Sequence, residues 1–131
     1  MKTINMLIVE DETLVGMQLT RIFSRLGYQI YGSVTSGEEA VQVVKDKQPE
    51  VVLMDQRLAG KIDGLEALQQ IRAFSPAIVI FITGYFDETL KEQVLSLPPS
   101  VYFVKPVDID QIKAAIELLL DEKRNHPQSN H

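Results

Sequence analysis

Five side chains able to handle charge or protons stand at the ends of four short apolar runs. Glu10 and Asp11 follow MLIV (6–9), Asp55 follows VVLM (51–54), Thr83 follows AIVIFI (77–82), and Lys105 with Pro106 follows VYFV (101–104). Carboxylates gathered in one place repel one another and take up protons unless a cation compensates them. A hard divalent ion such as Mg2+ fits Glu10, Asp11 and Asp55, because it takes oxygen ligands, commonly one or two carboxylates with waters and a phosphate. Asp55 could then attack phosphorus and hold the phosphoryl group as an acyl phosphate. Catalysis of that kind is mostly positioning and neutralisation of charge on the equatorial oxygens. Lys105 supplies a second positive charge on a flexible stem. The Thr83 hydroxyl could donate to a phosphate oxygen, with Gly84 leaving the neighbouring amide open to approach. Each residue has a plainer reading by itself: Asp11 caps a helix, Lys105 is solvated, Thr83 bonds locally. Those readings fail for the group.

For the group to exist, the runs must be parallel neighbours. Short, β-branched runs that are apolar on both faces suit buried strands of a parallel sheet. Ligands of open α/β sheets bind beyond the carboxyl ends of such strands. Between the runs lie helical patterns. Leu14, Val15, Leu19, Ile22, Phe23 and Leu26 recur at helical spacing before a stop at Gly27. Tyr28 to Val34 reads as a second strand. Ser36-Gly-Glu-Glu39 is a capping-box pattern, with Glu39 expected to return a bond to the Ser36 amide. It opens a helix bearing Ala40, Val41, Val43 and Val44 that ends before Pro49. Asp63-Gly-Leu-Glu66 starts a third helix, with Leu65, Leu68, Ile71 and Phe74 inward. A fourth is expected from about Phe86 to Ser96, before Pro98-Pro99. A fifth comes after Asp108, with Ile112, Ala115, Ile116, Leu119 and Leu120 buried. The Lys105-Pro106 bond is a candidate for cis. Five such β–α units predict a single doubly wound α/β domain with helices on both faces. Strand order 2-1-3-4-5 would set Asp11 and Asp55 beside the switch point. We place this domain at 1–124 and a flexible tail, holding His126 and His131, at 125–131.

At 131 residues the chain suits one domain. Its net charge of −5 argues against direct nucleic-acid binding, which wants a basic patch. No run approaches a membrane span and MKTINML lacks a secretory h-region, so the cytoplasm is the expected compartment. Zero cysteines exclude disulfides, thiolate metal sites and cysteine nucleophiles.

The chain resembles the receiver (CheY-like) domain of two-component response regulators over about residues 4–123. The resemblance rests on the acidic pair in LIVEDE, Asp55 closing VVLMD, the DGLEAL helix start, ITG with Thr83, and VKP with Lys105. The separations of 44 residues from Asp11 to Asp55 and 22 from Thr83 to Lys105 agree with it. It implies the flavodoxin-like (βα)5 fold and a phosphoacceptor, rather than a classical enzyme. Asp55 would take phosphoryl from a sensor histidine kinase or His-phosphotransfer protein, with Mg2+ held by Glu10, Asp11, Asp55 and the Arg57 carbonyl. Thr83 and Lys105 would act on the phosphoryl group. Tyr102, by itself a packing residue, would become the switch aromatic that follows Thr83. Phosphorylation would reshape the face of the fourth helix, fifth strand and fifth helix. That face would signal to an output domain or protein and could form a homodimer.

Three departures from the family stand out. The loop QRLAGKIDG lacks the usual proline, is one residue longer than the commonest version, and resembles the subset with RLxGxxDG loops. Arg57 and Tyr85 are bulky where water and donor approach, which would slow hydrolysis. The fourth helix ends in LSLPPS, and Pro98-Pro99 stiffens the entry to the fifth strand. Three rival readings compete with this one. A haloacid-dehalogenase phosphatase needs an acid where Arg57 stands. A flavodoxin-like flavin or small-ligand module needs a Ser/Thr/Gly-rich loop where Glu10, Asp11 and Glu12 stand. A receiver-like interaction domain that is never phosphorylated would not need the complete acid, threonine and lysine set.

Overall fold

A computed structural model describes residues 3–125. Strands and helices alternate: β1 (Asn5–Val9), α1 (Thr13–Arg25), β2 (Gln29–Val34), α2 (Gly37–Lys47), β3 (Val51–Asp55), α3 (Gly64–Arg72), β4 (Ile78–Thr83), α4 (Glu88–Leu95), β5 (Ser100–Val104) and α5 (Ile109–Asn125). The five strands form one parallel sheet in the order β2-β1-β3-β4-β5, the order expected. Among the described residues no helix is long and apolar enough to cross a membrane.

Side chains alternate across a strand, so each strand feeds two cores. Leu7, Val9, Val52, Met54, Val79 and Phe81 meet Ala40, Val44, Leu68, Ile71, Leu90 and Val94 from α2, α3 and α4. On the other face Met6, Ile8, Leu53, Ile78 and Ile80 meet Phe23 of α1 and Ile112, Ile116 and Leu120 of α5. Every residue of β3 is buried. Each fully buried Leu or Ile contributes roughly 1.5–3 kcal/mol of transfer free energy. These two cores hold the carboxyl ends of β1, β3, β4 and β5 at one edge.

Local signals set the helix starts. The Ser36 hydroxyl accepts from the Glu39 N–H (3.1 Å), and Asp63 and Glu66 form a reciprocal capping box (2.9 and 3.0 Å). The Asp87 carboxylate accepts from the Leu90 N–H (3.1 Å). Gln48, at φ 48°, closes α2 in the left-handed region.

Several local expectations are corrected. Glu39 spreads its return bond: its carboxylate accepts from the Thr35 N–H (3.3 Å) and the Ser36 hydroxyl (3.1 Å), with the expected Ser36 N–H a weaker contributor. Leu14 is 74% exposed, and Ile22 and Leu26 also face outward. Leu14 and Phe23 are about two and a half turns apart, so they occupy opposite sides of α1. Phe74 is exposed beneath the Lys45 ammonium, since α3 ends at Arg72 and the helical stripe ends with it. The fourth helix begins at Glu88 rather than Phe86, because Asp87 takes the cap. Helix α5 continues through Asn125, the first residue assigned above to the tail. The remainder of that tail, with His126 and His131, lies outside the described residues.

Candidate functional site

Glu10, Asp55, Thr83 and Lys105 are each set at the end of a strand. Glu10 directly follows β1 and extends its pairing, its N–H donating to the Val34 carbonyl (2.9 Å). Asp55 is the last residue of β3, registered beside Ile82. Its neighbour Gly64 presses on the Asp55 carbonyl so closely that a Cβ there would collide with it. Thr83 ends β4 and is 1% exposed. Lys105 continues β5, its N–H donating to the Thr83 carbonyl (2.8 Å), and its bond to Pro106 is cis as expected.

The acids converge. Glu10, Asp11 and Asp55 each offer an oxygen, and these atoms lie within 4.8 Å of one another. Glu10 and Asp55 are 5% and 6% exposed. The Asp55 carboxylate is divided between two donors. Oδ1 accepts from the Arg57 N–H (3.2 Å), and Oδ2 accepts from Lys105 Nζ (2.8 Å). Glu10 accepts from the Glu12 N–H (3.1 Å). A cleft of about 450 Å³ opens over these groups and also reaches Thr83, Gly84 and Tyr85.

Electrostatics follow from this crowding. Burial pushes the Glu10 carboxyl up to about 7; the Glu12 amide opposes this, while the charge of Asp55 and hydrogen bonds to Asp11 and Asp55 add to it. Burial alone would lower the Lys105 ammonium. Its hydrogen bond to Asp55 and the charges of Asp55, Glu10 and Glu12 outweigh that and raise it. One ammonium thus faces several carboxylates, an excess of negative charge suited to a hard cation.

Thr83 and Tyr102 stand apart from the acids. The Thr83 hydroxyl donates to the Tyr85 carbonyl (2.6 Å) and accepts from the Tyr85 N–H (3.0 Å), the local bonding of the plainer reading. The space expected around Gly84 is open, with no atom within 4 Å of a Cβ built there, so no close approach there requires a glycine. Tyr102 stacks on Phe81, with ring centroids 6.3 Å apart, and meets the edge of Phe86 at 6.2 Å. Arg57 and Tyr85 both border the cleft and are exposed.

One residue escapes sequence reasoning. Gln56 spans the base of the β3–α3 loop, Nε2 donating to Asp63 Oδ2 (3.1 Å) and Oε1 accepting from the Leu65 N–H (2.9 Å). Its only signal is adjacency to Asp55.

Comparison with known proteins agrees in one direction. The profile described as the response regulator receiver domain matches residues 6–117. The chain is 32% identical over 118 residues to the transcriptional regulatory protein PdtaR of Mycobacterium tuberculosis, covering 90% of this chain and 57% of that protein. It thus spans little more than half of that relative's length. It is also 32% identical over 120 residues to sporulation initiation phosphotransferase F of Bacillus subtilis, covering 91% of this chain and 95% of that protein. A chain of the CheX-CheY-BeF3-Mg+2 complex from Borrelia burgdorferi superposes with a TM-score of 0.81 at 30% identity, covering 89% of both chains. With that profile spanning most of the sequence, and relatives of this kind along it, the chain belongs to the response regulator receiver domain family of two-component systems.

Proposed function

We propose that Asp55 is the phosphoacceptor of this receiver and takes its phosphoryl group from a phosphohistidine on a sensor histidine kinase or phosphotransfer protein. The observation that carries this reading is the 2.8 Å contact between Lys105 Nζ and Asp55 Oδ2 inside a cluster of acids. As the last residue of a buried strand, Asp55 has a fixed backbone that directs its carboxylate, which favours in-line attack.

In the transfer step an Asp55 carboxylate oxygen forms a bond to phosphorus while the donor's P–N bond breaks and the imidazole leaves. Glu10, Asp11 and Asp55, with the Arg57 carbonyl, would hold Mg2+, which would supply positive charge to offset the acids and the phosphoryl oxygens. Lys105 transfers its hydrogen bond from the Asp55 carboxylate to a phosphoryl oxygen, as a point charge on a flexible stem. Reversal uses water, which attacks phosphorus, breaks its bond to the Asp55 oxygen and releases inorganic phosphate.

Signalling uses the groups that stand apart from the acids. The phosphoryl group adds about −1.5 to −2 charge and three acceptor oxygens. The Thr83 hydroxyl leaves Tyr85 for one of those oxygens, and Tyr102 turns into the space vacated. The outer face of α4, β5 and α5 changes shape, and phosphorylation shifts a population between two arrangements. An output domain or protein reads that face, and homodimerisation through it is a further expectation. The cytoplasm is the compartment this chemistry implies.

The deciding experiment is incubation with acetyl phosphate or beryllofluoride in the presence of Mg2+. The reading expects a spectroscopic change in the wild type that is absent in Asp55→Asn. A change that persists in Asp55→Asn, or that needs no divalent ion, rejects the assignment.

A further inference from the structure

We propose that Glu38 is a positioning residue for the divalent-cation site, acting through the backbone of the loop that follows Asp55. This rests on the reading of Glu10, Asp11, Asp55 and the Arg57 carbonyl as the ion's ligands.

The loop from Gln56 to Asp63 must present the Arg57 backbone to the cleft, although Arg57 and the residues from Ala59 to Lys61 are exposed. Its start is tied to the sheet: the Gln56 N–H donates to the Ile82 carbonyl (3.2 Å) and the Arg57 N–H to Asp55 (3.2 Å). Its end is tied to its own beginning, the Gly64 N–H donating to the Gln56 carbonyl (2.9 Å). Its middle is held by a different element, the N-terminus of α2. There the Ala59 N–H donates to the Thr35 carbonyl (2.9 Å), and Ala59 pairs with Ser36 in an isolated parallel bridge. The Lys61 N–H donates to Glu38 Oε2 (2.9 Å). Between these two anchors Gly60 takes φ +90°, packed so tightly on the Glu38 carboxylate that a Cβ would overlap it. Only glycine adopts that conformation freely, and it keeps the turn in one form while both flanking residues are held.

Glu38 does not supply the N-cap of the helix it sits on. Ser36 already caps α2, and Glu39 already occupies the Thr35 N–H. Glu38 instead reaches out of the first turn, where the helix dipole favours an anion. The Lys61 N–H is the largest influence holding its carboxyl below the usual range, followed by Glu38's own backbone N–H. The result is a charge-assisted hydrogen bond to a loop four residues past Arg57. Groups that orient the holders of a metal, without touching it, commonly alter its affinity.

The test is Mg2+ titration by calorimetry of wild type, Glu38→Ala and Glu38→Gln, with hydrogen exchange at the Lys61 amide and thermal unfolding. The expected result for Glu38→Ala is roughly fivefold weaker Mg2+ binding and faster Lys61 exchange, with little change in Tm. Glu38→Gln keeps an acceptor oxygen and should bind within about twofold of wild type. Wild-type affinity in Glu38→Ala while Lys61 loses protection overturns the inference. So does an equal loss in Glu38→Gln with Lys61 protection retained, which would mark a charge effect rather than loop anchorage. No Mg2+ binding by the wild type would instead reject the ligand assignment beneath it.

Discussion

Tyr102 and Asp87 hold one another across the start of α4: the tyrosine hydroxyl accepts from the Asp87 N–H (3.1 Å) and faces the Asp87 carbonyl at 3.4 Å. The residue that caps α4 through its side chain is thus itself held at its backbone by β5. On the proposed switch, rotation of Tyr102 would release this hold on the cap and would link the sheet edge to the α4–β5–α5 face. Tyr102→Phe should therefore speed amide exchange at Asp87 and Leu90 and cost about 1 kcal/mol of stability in urea unfolding. Unaltered exchange at both amides would remove this route.

Lys105 and Asp11 should separate in function. Lys105 is paired to Asp55, and its side chain is 46% exposed, so solvent limits what its loss costs in stability. Lys105→Ala removes a like charge from the cation's surroundings and should leave Mg2+ affinity intact or tighter, while abolishing the response to beryllofluoride. Asp11→Ala should weaken Mg2+ binding at least tenfold. Comparable losses of affinity in the two variants would contradict this division.

Glu10 makes stability depend on pH in a defined direction. Its carboxyl titrates at about 7 in the folded chain against an ordinary 4.5, so between those values the folded state holds more protons than the unfolded. Stability from that proton is complete below about 4.5 and lost as pH rises through about 7. Without Mg2+, the urea midpoint should fall between about pH 5 and about pH 8. On the proposed reading, in which Mg2+ would be held by the ionised acids, adding it should restore most of the loss at the higher pH. Glu10→Gln should flatten the profile, and an equally steep profile in that variant would assign the effect elsewhere.

Gly64→Ala probes the contact beneath Asp55. A Cβ at this position runs into the Asp55 carbonyl and the Gln56 backbone, neither of which can swing aside as a side-chain end can. Overpacking against backbone typically costs roughly 1–3 kcal/mol and should lower Tm. The same displacement should weaken Mg2+ binding, since Asp55 moves with its carbonyl. A variant as stable as wild type would show that α3 can retreat without strain.

Much of this protein is legible in one dimension. Apolar runs ending on Glu10, Asp55, Thr83 and Lys105, separated by capped helices at Ser36 and Asp63, are enough to predict alternating strands and helices with their polar termini at one edge. Local hydrogen bonds and periodicity carry that information, because a strand's alternation and a helix's first turn depend on residues within a few positions. What sits on which side of a finished helix is less local. Leu14 reads as part of the α1 stripe but faces outward, and Phe74 falls just beyond the end of α3.

The tertiary structure alone decided the partnerships that cross the chain. The sequence groups Lys105 with the acids, but not as a bond to one oxygen of Asp55; it leaves Thr83 two partners, and it gives no sign that Tyr102 holds Asp87. Nor does any motif show Glu38 gripping the loop at Lys61. Such contacts arise only when separate elements are packed at fixed distances by two cores. Sequence fixes the chemistry each element can offer, and the packing of the sheet determines which of those offers meet.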